Sequence, residues 1–566
     1  MIGGDAARPG TRMLRRLFFA ALPLLAACQP GPYTPPAGLV TNQRFAYSDG
    51  LNNENTDLLA LDGRILLIFR GGETGQIGSD AAHINVFASD DEGQSWQPQA
   101  EISAATLGGD RDIRDPKLVV FDDRLFLYAT SRLPGGHYRD LLGQAWFLRS
   151  ESDDGGRTWS DPVKTFADVD DQGQETFWDM WRFTERTPTH TLYALGYDDG
   201  DDQVAMFAST DGVDWQKVSV VIDSYDDVPS EAELHFFGDD QQTAVALVRL
   251  DNQGILQDGQ TAICTSQAPF ASWECGRRIE QRLDGPSWLS GDVAGTHREF
   301  VVARKHLPCT FKRTALYELR GDLADPSSPI EVCEDAVLNS AGDTAYTGLA
   351  LLGGDRYLVS WYSSTIPATG DVPWLEGTFT PADIWVADLD LSKAPTRRCD
   401  PPPVEEACPA AELPAGTGAA PGAGAYRFTL APVIYPSQTI AFEATVIADG
   451  DTPGLALQPL DGETGEPTGS PWTATNVSVD GSGVLTARFD IVSLPVSAFP
   501  LLSDPLLTLH DLVLSGVATS TGFCGGFAGY AQVYGDARAD RIDLQGSTFG
   551  AVPDAGDPTP VAACGG

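Results

Sequence analysis

Histidine, methionine and positively charged residues are scarce in this chain of 566 residues, and each shortage argues against one kind of partner, site or fold. There are 7 histidines, and 37 lysines and arginines stand against 79 aspartates and glutamates, so the formal net charge is −42. Such a surface repels phosphate backbones, which argues against nucleic acid as a partner. It is typical of the solvated coat of an exported protein. Only 4 methionines beside 59 glycines, 39 prolines and many aromatic residues favour short strands over helices.

Metal-binding patterns are also missing. The cysteines include no Cys-x-x-Cys pair, and with so few histidines a metal-thiolate centre is not expected. We therefore predict no metal ligands and no required cofactor. Acidic side chains crowd residues 197–203 (YDDGDDQ), which is compatible with a structural calcium ion, although the spacing does not match the loops of helix–loop–helix calcium sites.

The N-terminal segment is predicted to be an export signal. Arg15 and Arg16 precede a short apolar core, residues 17–25, which is too short to span a bilayer stably. The following LAAC, which ends at Cys28, resembles the bacterial lipobox, and this resemblance implies cleavage before Cys28 and lipidation of its sulfur. Gln29 after the cysteine favours the outer membrane by the same resemblance. We predict a cell-envelope lipoprotein, at the outer membrane or cell surface, that contacts the membrane only through its N-terminal lipid.

The cysteines beyond Cys28 are even in number, which indicates disulfides in an exported chain. Spacing alone does not determine their connectivity. Pairing of sequence neighbours would join Cys264 to Cys275, Cys309 to Cys333, Cys399 to Cys408, and Cys524 to Cys564.

A short turn recurs in the first half of the chain. Its copies are SDDEGQSW (89–96), SDDGGRTW (152–159) and the shortened STDGVDW (209–215). In each copy an aspartate can accept hydrogen bonds from backbone N–H groups, and a glycine can adopt a positive φ. Strand-like runs lead into all of them, so each copy is predicted to be a hairpin turn. Their spacing fits one blade of a β-propeller, about 40–50 residues plus longer loops.

The repeated turn resembles the Asp-box of the sialidase superfamily. Residues 112–130, 228–237 and 342–364 look like successive segments of bacterial exo-α-sialidase-like proteins, in the family's order. This resemblance covers about residues 40–395 and implies a six-bladed β-propeller.

The remaining chain is predicted to form a second β domain. Residues 396–424 are rich in proline, glycine and alanine and read as a linker. Residues 425–566 contain alternating or apolar runs between turn signals, which indicates a smaller β-sandwich-like domain. The predicted organisation is therefore an all-β protein with a signal peptide at 1–28, a tether at 29–39, the propeller, the linker and this C-terminal domain.

Three arginines end strand-like apolar runs, which would point them at the central cup of a propeller. They are Arg70, Arg249 and Arg304. A guanidinium offers a planar fork to a carboxylate, and sialidases use three arginines in this way, so the resemblance implies that these bind an acidic sugar. Arg70 departs from the family pattern, because two glycines follow it in place of Ile-Pro. The alternative is that all three are ordinary ion-paired arginines.

The resemblance also implies catalytic residues. Tyr346 in GDTAYTG matches the family's nucleophile, and Glu231 in VPSEAEL matches the glutamate that activates it; Glu233 is the fallback. A neutral phenol approaches an anionic sugar without charge repulsion. Asp80 is the nearest candidate for the acid/base residue.

Other polar residues could line the cup. Asp112 and Asp115 flank Arg114 and compete for the acid/base role, while Arg114 itself is either a structural clamp or a substrate contact. Trp181 and Arg182 are further candidates.

Three functions remain open at this stage. The leading hypothesis is a surface-anchored, sialidase-like exo-glycosidase acting on terminal acidic sugars of extracellular glycans. The rival is a propeller that binds glycan or protein without catalysis. The third is a hydrolase or lyase for another acidic polysaccharide, centred on Asp112, Arg114 and Asp115.

Overall fold

The fold was determined from a computed structural model, which describes residues 37–73, 82–108, 111–132, 145–166, 168–169, 173, 175–198, 202–251, 259–364, 371–396, 408–413, 415–419, 421–449, 452–499, 506–532 and 541–553. Strands dominate these residues, which confirms the predicted all-β class. One short α-helix, α1, spans Trp374–Gly377. The 3₁₀ turns are Ala105–Leu107, Thr187–Thr189, Pro308–Thr310, Leu391–Lys393 and Val496–Ala498. Within the described ranges, no helix has the length and apolar character needed to cross a membrane.

Most of the chain folds into six four-stranded antiparallel units, the blades of a propeller. Blade 1 comprises β2 (Asn52–Leu61), β3 (Arg64–Gly72), β4 (His83–Ser89) and β5 (Gln97–Ile102). Blade 2 comprises β6 (Asp112–Phe121), β7 (Arg124–Arg132), β8 (Trp146–Ser152) and β9 (Val163–Phe166). Blade 3 comprises β12 (Asp179–Arg186), β13 (Thr191–Asp198), β14 (Gln203–Ser209) and β15 (Gln216–Asp223). Blade 4 comprises β16 (Pro229–Phe237), β17 (Thr243–Leu250), β18 (Gln260–Gln267) and β19 (Glu274–Ile279). Blade 5 comprises β20 (Asp284–Val293), β21 (Thr296–His306), β22 (Lys312–Arg320) and β23 (Glu331–Val337). Blade 6 comprises β24 (Thr344–Gly353), β25 (Arg356–Ser364), β26 (Ala382–Asp390) and β1 (Val40–Tyr47). A two-stranded hairpin, β10 (Asp168–Val169) and β11 (Glu175–Thr176), precedes blade 3.

The ring of blades is closed by the first strand of the described chain. β1 pairs antiparallel with β26 and so completes blade 6 from the opposite end of the propeller sequence. One parallel bridge, Asn52 to Ala382, then joins blade 6 to blade 1. Blade 6 therefore holds together residues that are far apart in the chain.

Apolar clusters fill the spaces between neighbouring blades. Leu66 and Ile68 of β3, for example, belong to the same buried cluster as Leu125 and Leu127 of β7. Because such strands are covered on both faces, they carry continuous rather than alternating apolar runs. The buried run 65–69 of β3 (ILLIF) illustrates this pattern.

The three repeated turns connect the third and fourth strands of blades 1 to 3. In the first, Asp91 Oδ1 accepts a hydrogen bond from the Ser95 N–H at 2.8 Å, and Gly93 has a φ of 80°. Asp154 plays the same role towards the Thr158 N–H at 2.8 Å. In the shortened copy, Asp211 accepts from the Val213 N–H at 2.8 Å. Hydrogen bonds from Ser95 and Ser89 lower the pKa of Asp91 to about 2.

The innermost strand of every blade has an irregular register near its start. The shifts lie between 54 and 57, 114 and 117, 180 and 182, 229 and 232, 284 and 287, and 345 and 348. A bulge changes the direction in which side chains point and is common beside active sites. The second strand of each blade ends at this same end of the ring, so both sets of side chains meet near the axis.

The C-terminal strands form one ten-stranded sheet that curls around a single apolar core. Its strands are β27 (Gly424–Ala431), β28 (Ile440–Asp449), β29 (Thr452–Pro459), β30 (Trp472–Thr473), β31 (Asn476–Val479), β32 (Val484–Pro495), β33 (Leu506–Ala518), β34 (Phe523–Gln532), β35 (Arg541–Asp543) and β36 (Ser547–Pro553). Phe428, Phe442 and Phe549 lie fully buried at its centre. We call this unit the C-terminal sheet.

The disulfides correct part of the predicted pairing. Cys264 bonds to Cys275, as predicted, with an S–S distance of 2.03 Å. Cys309 bonds to Cys408, so the predicted pairs of Cys309 with Cys333 and of Cys399 with Cys408 are wrong. Pairing by sequence neighbourhood failed because the turn after β21 lies beside the segment that leads into the C-terminal sheet. Cys333 and Cys524 are also disulfide-bonded, while Cys399 and Cys564 lie outside the described residues.

Candidate active site

A tyrosine–glutamate pair lies at the end of the propeller axis where the bulged strands begin. Tyr346 of β24 donates its hydroxyl hydrogen to Glu231 Oε1 of β16, with an oxygen–oxygen distance of 2.5 Å. The Gly285 N–H donates to the other oxygen, Oε2, at 2.7 Å. Both side chains are buried. The two residues come from blades 6 and 4, so only closure of the ring brings them together.

The backbone at Tyr346 is strained to place the phenol. Ala345 and Tyr346 have φ angles of 101° and 44°, which side chains other than glycine rarely adopt. The Trp181 ring packs edge-on against Tyr346 at 5.0 Å. At Gly285, a Cβ atom would lie 2.2 Å from Tyr346 Cδ1, so this position requires glycine. Burial and the nearby Glu231 carboxylate raise the pKa of Tyr346 well above its ordinary value, which keeps the phenol neutral.

Arg249, at the end of β17, supports the glutamate. Its Nη1 donates to Glu231 Oε1 at 2.7 Å, and its Nε contacts Asp251 at 2.8 Å. The same Nε lies 3.2 Å from Asp284 Oδ1. Asp284 also accepts hydrogen bonds from Arg282 and His306 at 2.7 and 2.8 Å. Burial alone would raise the pKa of Asp284, but the Arg249 and Arg282 guanidiniums and the hydrogen bond from His306 hold it well below its usual range.

Arg304, at the end of β21, lies on the other side of the phenol. Its Cζ is 4.8 Å from the centre of the Tyr346 ring, a cation–π contact. Its Nη2 donates to Asp343 at 2.8 Å and to the Tyr362 hydroxyl at 3.0 Å, while Nε donates to the Thr344 carbonyl. Burial raises the pKa of Asp343 even though Arg304 opposes the shift.

The third predicted arginine, Arg70, has a different environment. Its side chain has no exposed surface, and it pairs with Glu54 at 2.5 Å and Asp112 at 2.9 Å. Asp112 also pairs with Arg114, so alternating charges run across blades 1 and 2. Burial outweighs the attraction of Arg70 and raises the pKa of Glu54 to about 8. Asp115 has a φ of 52° and accepts from Asn55 at 2.5 Å.

A second layer of polar side chains lies along the inner strands just beyond the bulges. Arg182 contacts Glu233 at 2.9 Å and Asp57 at 3.3 Å, and it donates to Ser287 at 2.6 Å. Lys117 Nζ lies 4.6 Å from the centre of the Trp181 ring. Burial raises the pKa of Glu233 to about 8. This layer lies along the axis and supports the groups above it.

The structure therefore brings some of the predicted site residues into direct contact and leaves others outside. Tyr346, Glu231, Arg249 and Arg304 form one connected cluster. Arg70 and Arg114 belong to the ion-pair chain of blades 1 and 2, which adjoins this cluster because Asp343 lies near enough to raise the pKa of Glu54, and Arg182 lies in the second layer. Asp80 and Cys28 lie outside the described residues.

Sequence reasoning missed several residues that organise this cluster. They are Glu54, Asp284, His306, Asp343, Tyr362 and Trp374. One signal was available for Asp284, because aspartates also open the innermost strands of blades 2 and 3, at Asp112 and Asp179. The others could not be found in this way, because none of them is the first residue of an innermost strand.

In the described part of the chain, no group of three or more histidine, cysteine, aspartate or glutamate side chains is arranged to hold a metal ion. The segment considered for calcium, 197–203, is only partly described.

No protein-family model and no curated protein sequence matches the chain. Among solved structures, it is similar to the intramolecular trans-sialidase of Ruminococcus gnavus, with 12% identity, a TM-score of 0.46, and coverage of 65% of this chain and 100% of that one. It is also similar to the NanB sialidase of Streptococcus pneumoniae, with 12% identity, a TM-score of 0.45, and coverage of 66% of this chain and 72% of that one. A third similar structure is the α-L-arabinanase of Penicillium chrysogenum, with 13% identity, a TM-score of 0.43, and coverage of 63% of this chain and 99% of that one. The propeller fold follows from the strand pairing described above.

Proposed function

We propose that the protein is a sialidase-like exo-glycosidase that removes terminal acidic sugars from extracellular glycans. One observation supports this most strongly: the hydrogen bond from the Tyr346 hydroxyl to Glu231, flanked by Arg249 and Arg304. A buried phenol beside a carboxylate is suited to nucleophilic attack, because the carboxylate can accept the phenol proton.

The proposed reaction proceeds in two displacements. Tyr346 Oη bonds to the anomeric carbon while its proton passes to Glu231 Oε1 and the glycosidic bond breaks. The leaving oxygen takes a proton from an acid, for which Asp80 remains the candidate named from the sequence. Water then attacks the anomeric carbon and gives one proton to the deprotonated acid, the glycosyl–tyrosine bond breaks, and the phenolate takes its proton back from Glu231.

The charge balance around the phenol is compatible with an anionic substrate. Arg249, Arg282 and Arg304 are permanently cationic. Of the carboxyl groups that pair with them, Glu231 and Asp343 have pKa values raised by burial. Protonation of Asp343 leaves the three guanidiniums balanced by Glu231, Asp251 and Asp284, so the cluster then carries no net negative charge that would repel a sugar carboxylate, while Glu231 stays ionised to accept the phenol proton.

Turnover assays test this proposal. Purified protein would be incubated with fluorogenic sialosides and other acidic glycosides, with Tyr346→Phe as the test variant. Tyr357→Phe is the matched control, since Tyr357 lies in the same blade as Tyr346 and its hydroxyl donates to the Ser290 carbonyl of blade 5, outside the cluster. We expect turnover in the wild type, a loss of more than about a thousandfold in Tyr346→Phe, and no change in the control. Absence of turnover with every acidic glycoside would reject the proposal.

The environment of Arg70 favours a second candidate, a propeller that binds glycan without cleaving it. All three arginines are bound by carboxylates, but the side chains of Arg249 and Arg304 keep 8% and 4% of their surface exposed, whereas Arg70 has no exposed surface on which to bind a substrate carboxylate. Glycan-array binding without turnover, unchanged in Tyr346→Phe, would support this candidate.

Surface anchoring is a further part of the proposal. The lipobox-like LAAC supports lipidation of Cys28 and a location in the cell envelope, at the outer membrane or cell surface. Metabolic labelling with a fatty-acid analogue should mark the wild type but not Cys28→Ser, and equal labelling of both would contradict the anchor.

A further inference from the structure

The short helix α1 lies between the C-terminal sheet and the candidate active site. On one side, Trp374 and Leu375 pack against the apolar core of the C-terminal sheet. On the other side, Gly377 lies against the backbone of residues 342 and 343, so closely that a Cβ atom would be 2.1 Å from the Asp343 nitrogen. Helix α1 therefore lies between the C-terminal sheet and the propeller, and glycine is required at position 377, where the helix meets the propeller.

Trp374 also takes part in the charged network of the site. Its indole N–H donates to Asp343 Oδ1 at 2.9 Å. That same oxygen accepts from Arg304 Nη2 at 2.8 Å. Arg304 in turn lies over the Tyr346 ring. A single side chain therefore contacts the C-terminal core and is two contacts away from the cation beside the phenol.

The carboxylate that joins these groups depends on its donors. Asp343 is buried, and burial raises its pKa. Hydrogen bonds from Arg304, Tyr362 and Trp374 act in the opposite direction and favour its ionised form. Loss of the indole donor would weaken the acceptor that holds the Arg304 guanidinium.

Two further contacts attach the C-terminal sheet on this side of the propeller. Phe379, just after α1, packs against Tyr435, with 6.1 Å between the centres of the two rings. The disulfide from Cys309 to Cys408 joins the turn after β21, the strand that carries Arg304, to the segment preceding the C-terminal sheet. Gln545 of the C-terminal sheet donates to the Cys408 carbonyl at 2.7 Å.

We propose that the C-terminal sheet serves as a buttress of the active site and that Trp374 is a positioning residue, which holds Asp343 and, through it, Arg304 beside Tyr346. The effect of this positioning on catalysis rests on the proposed function, but the positioning itself does not. The C-terminal sheet is then a part of the site's construction, rather than a spacer or a separate binding module.

The test compares two tryptophan variants. Trp374→Phe keeps an aromatic ring at this position and removes the indole donor. Trp273→Phe is the matched control, because this half-buried tryptophan donates to Ser219 Oγ at 3.0 Å elsewhere in the propeller. Each variant would be studied as the full chain by hydrogen–deuterium exchange across residues 342–348, by thermal unfolding and by steady-state kinetics.

We expect faster exchange across residues 342–348 in Trp374→Phe, with an unfolding midpoint close to that of Trp273→Phe. On the best substrate, kcat/KM should fall about tenfold, mainly through KM, because Arg304 would contact the sugar in the ground state as well as in the transition state. Unchanged exchange in Trp374→Phe would overturn the proposal whatever the kinetics. If the wild type hydrolyses nothing, the proposed function fails, and the exchange measurement alone decides whether Trp374 positions the site.

The disulfides provide a second pair of variants. Replacing Cys309 and Cys408 by serine removes the link to the C-terminal sheet, whereas replacing Cys264 and Cys275 removes a disulfide between the outer strands of blade 4. We expect exchange across residues 342–348 to increase only in the first pair. An equal increase in both would mean that general loosening, rather than the buttress, controls this segment.

Discussion

The propeller axis and the C-terminal sheet are built from the same kind of strand, yet they bury opposite kinds of side chain. Among the described residues of the C-terminal sheet, the buried polar side chains are Thr429 and Ser547, and its core is otherwise apolar. At the propeller axis, arginines and carboxylates are buried in contact with one another, as in the pair of Arg70 and Glu54.

This difference indicates what each region is for. Buried ion pairs seldom stabilise a fold more than apolar residues of similar volume would, because both charges lose their hydration. Ionisable groups with shifted pKa values instead concentrate at functional sites. In our proposal, therefore, the axis carries the chemistry, while the C-terminal sheet supplies rigidity and support for Arg304.

The largest effect is expected where a charge is removed from the axis. Arg249→Ala leaves Glu231, Asp251 and Asp284 with fewer cationic partners in a buried site. We expect the free energy of unfolding to fall by about 3–5 kcal/mol and turnover to be lost. Chemical denaturation and the glycoside assay measure these effects. If Arg249→Ala were as stable as the wild type, the three buried carboxylates would not depend on Arg249 for their stability.

A comparable loss of stability, without a direct loss of chemistry, is expected in the C-terminal sheet. Phe442 is fully buried and its ring lies 4.7 Å from Trp472. Phe442→Ala should lower the free energy of unfolding of this unit by roughly 3–5 kcal/mol through lost burial and a cavity. Under conditions where the variant stays folded, kcat should remain close to that of the wild type. A loss of kcat as large as that of Arg249→Ala would remove the distinction between the two regions.

The pH dependence of stability should also differ between the regions. Glu54 and Glu233 have folded-state pKa values of about 8, above the ordinary value of 4.5. The native state therefore keeps protons that the unfolded chain has lost, and the free energy of unfolding should fall as the pH rises from about 6.5 to 8. One such group gives a slope of up to about 1.4 kcal/mol per pH unit. Glu54→Gln should flatten the slope.

Below pH 6.5 this effect is opposed by His306, whose pKa is held well below its usual value by burial and by Lys312. The slope that Glu54 and Glu233 produce is therefore best compared between the wild type and Glu54→Gln above pH 6.5, where His306 does not oppose it. Denaturation curves at several pH values would measure the slope, and an identical slope in Glu54→Gln would mean that this carboxyl does not hold its proton.

The smallest effect is expected for an ion pair on the propeller surface. Arg356 contacts Glu92 at 2.9 Å, but both side chains are more than half exposed. Arg356→Ala should change the free energy of unfolding by less than about 1 kcal/mol and leave turnover unchanged. A loss as large as that of Arg249→Ala would show that burial is not what separates strong from weak pairs in this protein.

Much of the fold could be predicted because its signals are local. The turns at Asp91, Asp154 and Asp211 occur once in each of blades 1 to 3, and continuous apolar runs such as residues 65–69 mark strands covered on both faces. Arg249 and Arg304 could be proposed as neighbours of the phenol, because each ends a second strand of its blade.

The rest depends on contacts that sequence spacing does not encode. The link between Cys309 and Cys408 joins positions 99 residues apart, and neighbour pairing could not find it. Asp284 gains its importance from Arg249 and Arg304 on two other strands and from Arg282 just before its own strand. Trp374 gains its importance from its position between the propeller and the C-terminal sheet. These roles arise only when the ring closes and the C-terminal sheet packs beside it.

Covalent trapping on Tyr346 tests the central claim most directly. The protein would be treated with a fluorinated, slowly released analogue of the acidic sugar that it turns over, digested, and mapped by mass spectrometry. The account predicts a glycosyl adduct on the peptide that contains Tyr346, absent from Tyr346→Phe and slower to form in Glu231→Gln. Turnover of the substrate with no adduct on Tyr346, or with an adduct on another residue, would contradict it.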